Sequence, residues 1–244
     1  MSKIVGRTLD FIELFADQKR ALSLSDISRL LDLPPSSCHD VLGELKDRGY
    51  VYELTPRGGY YPTLRIYEIG KTISDHDPVV ARAELLLRET RDAIGESVLL
   101  AKASGLEATY LLAFDPQNAL GVRRKVGENI FGLHTTSAGK ALLGSLSEAA
   151  LSNFLLSAPL VAATPLTITS KKKLRKDIED GNRRGWFLNR QESQIGVTTL
   201  SARFHWLSTL FIVSIAGPSH RVEPRLEEFA KLLISVCQKL SEPK

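Results

Sequence analysis

The sequence predicts an α+β protein of two domains, and three observations carry that prediction. Residues 1–69 hold three apolar stripes at helical spacing, then two short aromatic runs around a Pro/Gly turn. The stretch Asp75-His76-Asp77-Pro78 interrupts the pattern. Beyond it, short β-rich runs alternate with longer segments of helical period, as expected of an antiparallel sheet packed with helices. The expected boundaries are 1–69 for the first domain, 70–80 for a linker helix region and 81–244 for the second domain.

Each element has its own signal. Residues 8–15 carry Leu9, Ile12, Leu14 and Phe15 on one helical face. Ser25 reads as the cap of a short helix bearing Ile27, Leu30 and Leu31. Pro34-Pro35 opens the next helix, since proline is tolerated at the first helical position. Its buried stripe is Cys38, Val41, Leu42 and Leu45, and Gly49 is its stop. Residues 50–54 and 60–61 then read as strands of a hairpin around Thr55-Pro56-Arg57-Gly58-Gly59. Helix, helix, turn, helix, hairpin is the order of a winged helix-turn-helix. The third helix would leave Ser36, Ser37, His39, Asp40 and Gly43 facing outward.

Helices follow through Ile66, Ile69 and Ile73 and over 79–94. In the second domain, residues 97–103, 108–114, 121–126, 197–204 and 210–215 read as strands. Residues 139–145, 147–156, 170–184 and 224–240 read as helices. The last has a core stripe at Leu226, Phe229, Leu233, Val236 and Leu240.

Composition narrows the class. The 244 residues are 43% hydrophobic and 25% charged, values of a globular protein with a sizeable core. Two separated cysteines, Cys38 and Cys237, exclude a disulfide framework or a cysteine-rich metal site. Residues 1–10 lack the apolar core of a signal peptide, and the apolar run 210–216 is too short to cross a bilayer. A cytoplasmic protein with no membrane partner is expected. The net charge is +4, yet residues 1–70 carry nine basic against ten acidic side chains. The basic excess lies later, in Arg123-Arg124-Lys125 and Lys171-Lys172-Lys173, which read as solvated faces.

Enzyme signatures are absent. The five histidines show no metal-ligand spacing, and there is no nucleophile elbow, Walker loop or dinucleotide fingerprint. No catalytic residue, metal or cofactor is expected. His134-Thr135-Thr136-Ser137-Ala138-Gly139-Lys140 lies where a strand would meet a helix. It reads either as a cradle for an anionic ligand or as a structural turn. Residues 189–196 read as a polar loop ahead of a strand, and Thr199, Ser201 and Ser214 fit either a pocket lining or plain β-propensity.

Several stretches together resemble the IclR family of bacterial transcription regulators. They are Leu24-Ser25-Asp26-Ile27 with 33–39, Asp47-Arg48-Gly49-Tyr50-Val51, 60–70, Gly95-Glu96-Ser97-Val98, Gly127 with 133–141, and Gly185-Trp186. Glu192, Gly196, Ser201-Ala202 and 214–218 follow at the family's spacing. The resemblance implies a winged helix, a linker helix and a GAF-like effector-binding domain. It implies a ligand-responsive regulator, a repressor of a catabolic operon, that binds double-stranded promoter DNA as a homodimer or homotetramer. The implied effector is a small organic or aromatic acid. Candidate DNA-contacting residues are Ser25, Pro35, Ser36, Ser37, His39, Asp40, Gly43 and Arg57. Candidate effector-binding residues are Leu120, Arg123, Phe131, Ser137, Ala138, Asn189, Glu192, Val197, Thr199, Ser214 and Ala216. The family commonly has arginine where Asp40 stands, and proline where Arg203 stands. The alternative is a winged-helix protein-association module carrying a ligand-binding domain.

Overall fold

The computed structural model describes residues 3–54 and 58–241. The chain divides into two compact units, Met1–His76 and Asp77–Lys244.

In the first unit, α1 (Lys3–Gln18), α2 (Leu24–Leu31) and α3 (Pro35–Asp47) enclose a core of Phe11, Phe15, Leu22, Ile27, Cys38, Leu42 and Leu45. Full burial of each such side chain contributes roughly 1.5–3 kcal/mol before entropy is counted. Val41, expected within the stripe, is half-buried at its edge. The cap of α2 is Ser23 and not Ser25. Ser23 Oγ accepts from the Asp26 N–H at 3.1 Å and the Asp26 carboxylate accepts from the Ser23 N–H at 3.2 Å, a reciprocal capping box. Ser25 lies inside the helix and is exposed.

The end of α3 is set by Gly49, whose φ of +74° lets the chain turn left-handed. The Tyr50 N–H then donates to the Leu45 carbonyl and the Gly49 N–H to the Lys46 carbonyl. Strands β1 (Val51–Glu53) and β2 (Tyr60–Pro62) pair antiparallel, with Tyr52 opposite Tyr61. Helix α4 (Arg65–Asp75) closes the unit and buries none of its residues fully.

The second unit opens with α5 (Pro78–Ile94), capped by Asp77. Its sheet is built from β3 (Ser97–Ser104), β4 (Glu107–Phe114), β5 (Phe187–Arg190), β6 (Val197–Trp206) and β7 (Thr209–Pro218). The spatial order is β4-β3-β7-β6-β5 and every pairing is antiparallel. On one face α5 and α10 (Leu226–Ser241) pack over Val98, Leu100, Leu200, Val213 and Ile215. On the other, α6 (Ser137–Leu143), α7 (Glu148–Ser157) and α8 (Lys171–Arg184) pack over Leu99, Ala101, Phe187 and Ile212. A short α9 (Ser219–Val222) follows β7.

Three expectations change. Residues 121–126 form no strand. Gly127, at φ +83°, turns the chain so that 127–130 bond the edge of β4 instead, through Gly127 N–H to Tyr110 O and Ile130 N–H to Ala108 O. Conversely, Asn189 belongs to a strand, β5, because its backbone completes the sheet beside β6. The helix expected from 139 begins at Ser137, capped by Thr136.

Candidate functional site

Two surfaces carry the expected residues, one in each unit. In the first, the helix period puts Ser36, His39, Asp40 and Gly43 opposite the buried Cys38, Leu42 and Leu45. Pro35, Ser36, His39 and Asp40 are exposed, whereas Ser37 and Gly43 are half-buried. Asp40 is 85% exposed and its Oδ1 lies 3.9 Å from His39 Nδ1. Asp40 also borders a groove between α1 and α3, together with Arg7, Ile12, Ser37, Glu44 and Arg48. Glu44 and Arg48 pair across one helical turn. Arg57, the expected wing contact, lies outside the described residues.

In the second unit, register assembles a pocket. Side chains paired directly across neighbouring strands share a face. Asn189 pairs with Thr199 and Thr199 with Ala216, while Ser201 pairs with Ser214 and Ser214 with Leu99. The face under α6 therefore carries a cluster of small polar groups among apolar ones. Ser137, at the first position of α6, reaches down to it. Its Oγ lies 2.7 Å from Thr199 Oγ1 and 2.7 Å from Ser201 Oγ, and Ser201 lies 2.7 Å from Ser214. Asn189 Nδ2 donates to Ser193 Oγ at 2.9 Å and to Thr199 Oγ1 at 3.3 Å.

All of these groups but Ser201 border a cavity of about 70 Å³. Seven expected effector residues line it: Ser137, Ala138, Asn189, Val197, Thr199, Ser214 and Ala216. Four do not. Leu120 and Phe131 are 77% and 78% exposed. Arg123 turns out to pair with Asp115 at 3.3 Å. Glu192 is buried behind Asn189, whose Oδ1 accepts the Glu192 N–H at 2.7 Å.

Lining residues missed from the sequence are Leu99, Tyr110, Val122 and Arg124, together with Thr136, Ser193 and Gln194. Strand parity with Ser214 is the signal that would have found Leu99. Nothing local distinguishes Arg124 from Arg123, because the intervening loop is irregular.

The segment 134–140 serves structure more than was expected. His134 Nε2 sits 2.9 Å from the Val161 carbonyl. A Cβ on Gly139 would stand 2.4 Å from the Leu133 backbone, so glycine is needed for α6 to pack there. The Gly139 N–H is taken by the Thr136 hydroxyl at 3.0 Å. Lys140 is 1% exposed and points away from the cavity. Its Nζ lies 2.6 Å from Glu192, 2.7 Å from Asp177 and 3.0 Å from the Leu188 carbonyl. Burial pushes the Glu192 carboxyl up from its ordinary value, against the opposing charge of Lys140.

This arrangement suits binding rather than turnover. The Ser137 hydroxyl meets other hydroxyls and no base that could activate it. Among the described residues no cluster of three or more His, Cys, Asp or Glu is placed to hold a metal ion. Among them, too, no helix is long and apolar enough to cross a membrane.

Both units match known protein domains. Residues 5–54 match the IclR helix-turn-helix domain, and residues 71–242 match the bacterial transcriptional regulator IclR C-terminal domain. The chain is 28% identical over 222 residues to the HTH-type transcriptional repressor AllR of Escherichia coli K12, covering 90% of this chain and 82% of that one. Its fold resembles the IclR transcriptional regulator of Alicyclobacillus acidocaldarius, with a TM-score of 0.76 at 20% identity, over 99% and 98% of the two chains. It also resembles an IclR homologue from Microbacterium hydrocarbonoxydans complexed with 4-hydroxybenzoate, with a TM-score of 0.75 at 20% identity, over 98% of each chain.

Proposed function

We propose, from the premise that this chain belongs to the IclR family of bacterial transcriptional regulators, that it represses a catabolic operon and responds to a small organic acid. DNA binding through the helix-turn-helix and the presence of an effector domain follow from the family, which is not one of enzymes. The observation that carries the ligand reading is the hydroxyl- and amide-lined cavity under α6, with Arg124 at its border. Donors of that kind complement a carboxylate, and apolar Leu99, Val122 and Val197 complement a short carbon chain. A repressor among the relatives and an aromatic acid bound in a structural neighbour support the same reading.

On this proposal Ser36, Ser37 and the start of α3 contact phosphates, while His39 and Asp40 meet base edges in the major groove of promoter DNA. Ser25, Pro35 and Gly43 lie on the same approach, residues 70–80 act as linker, and the working form is a homodimer or homotetramer in the cytoplasm. The effector acts only through its different affinity for the DNA-competent and incompetent arrangements.

The test is fluorescence-anisotropy titration of the full chain against a duplex from its own upstream region. Raising salt from about 50 to 200 mM should lower affinity roughly a thousandfold, the loss for about six phosphate contacts. Binding indifferent to salt, or no binding at all, overturns the DNA-regulator mechanism.

A further inference from the structure

We infer that Arg124, and not its neighbour Arg123, is the residue that reads the effector's charge. This rests on the effector-site reading above and makes it specific to one side chain.

Three observations place Arg124. First, among the described residues lining the cavity it is the single charged one; the others are hydroxyls, amides and apolar groups. No carboxylate competes inside the cavity, so its field is positive and an anion is the complementary guest.

Second, the backbone holds Arg124 from both sides. The Val122 carbonyl accepts the Ser97 hydroxyl at the start of β3. The Gly127 N–H donates to the Tyr110 carbonyl at 2.8 Å, and the Tyr110 N–H donates to Glu128 O at 3.0 Å. Between these anchors consecutive side chains diverge. Arg123 leaves the cavity toward Asp115, while Arg124 and the buried Tyr110 both line it. Burial pushes the Tyr110 hydroxyl up and Arg124 opposes that push, so the phenol stays protonated at neutral pH and available as a second donor.

Third, Arg124 has no strong ion pair to give up. Its nearest carboxylate is Glu128 at 3.8 Å, with both side chains about two-fifths exposed. A pair of that length and exposure contributes little. Glu128 is also engaged with the Lys125 N–H at 3.1 Å.

The experiment is isothermal titration of the full chain with acetate, propionate, pyruvate, lactate, benzoate and propionamide. Wild type, Arg124→Gln, Arg124→Lys and Arg123→Gln are compared, each checked for an unchanged unliganded melting midpoint. Wild type should bind at least one of the acids and not propionamide. Arg124→Gln should lose about ten- to hundredfold, as expected for a hydrogen-bonded charge. Arg124→Lys should recover part of that loss, and Arg123→Gln should match wild type. Equal binding by wild type and Arg124→Gln overturns the inference and leaves the effector site standing. Preference for propionamide over every acid overturns the charge reading. Failure of all six probes to bind wild type, with DNA affinity unchanged by any, overturns the acid-sensing reading itself.

Discussion

Lys140 is a cation with almost no contact with water, clasped between Glu192, Asp177 and a backbone carbonyl. Glu192 is also buried, and its Oε2 has no hydrogen-bond partner among the described residues. Removing such a pair from water costs several kcal/mol per ion, so its presence is weak evidence for stability. Its position explains it better: the Glu192 backbone holds Asn189, and Asn189 reaches the cavity hydroxyls. The raised Glu192 carboxyl has a defined consequence. Its folded form binds a proton more readily than its unfolded form, so its contribution is fully present below the ordinary value of 4.5. That contribution is lost as pH rises through the raised folded value. Glu192→Gln should therefore flatten the decline of melting midpoint with rising pH above about 4.5. An unchanged pH profile would mean that this carboxyl does not titrate differently on folding.

Among the elements, α3 and the paired strands teach different lessons. Helix α3 can be read alone, because a 3.6-residue period separates Cys38, Leu42 and Leu45 from Ser36, His39 and Asp40 without reference to any neighbour. Asp40 stands near the centre of the free face, where an acidic side chain can accept from a cytosine amine. Asp40→Arg should change which operator is preferred and steepen the salt slope by about one phosphate equivalent. Selection of bound duplexes from a random pool checks both, and identical preferences would show that Asp40 does not face DNA. The strands cannot be read singly. Period two divides β6 into Thr199 and Ser201 on one face and Leu200 and Ala202 on the other, but only pairing with β7 shows that the hydroxyl face meets Ser214 and Ser137. The short β5 was missed for a related reason. Its Asn189 and Arg190 are polar, and sheet membership comes from backbone bonds to β6.

At the scale of the whole molecule, the two units have separate cores. Phe11, Phe15, Ile27 and Leu42 serve the first, and the two faces of the five-stranded sheet serve the second. A fragment of residues 77–244 should fold alone, keep the ligand-induced rise in melting midpoint and lose DNA binding. Loss of the ligand response in a folded fragment would show that the first unit contributes to the site. Charge follows the same division, since residues 1–70 are slightly acidic overall and the basic excess lies beyond them. Part of that excess has structural use: Arg175 pairs with Glu148, and Lys171 Nζ donates to the Leu156 carbonyl.

Periodicity and turn chemistry were enough for the helices, the hairpin, the break near Pro78 and most strands, since these depend on contacts within a few residues. Family likeness supplied seven cavity residues, all on β5, β6, β7 or at the start of α6, where regular geometry fixes side-chain direction. Leu120, Arg123 and Phe131, expected beside the effector, do not line the cavity and lie in an irregular stretch without a period. Whether Arg123 or Arg124 turns inward, whether Lys140 meets a ligand or two carboxylates, and how much room lies under α6 are long-range questions. Their answers depend on Tyr110, Asp177, Glu192 and Ser214, residues far away in sequence that folding brings within a few ångströms.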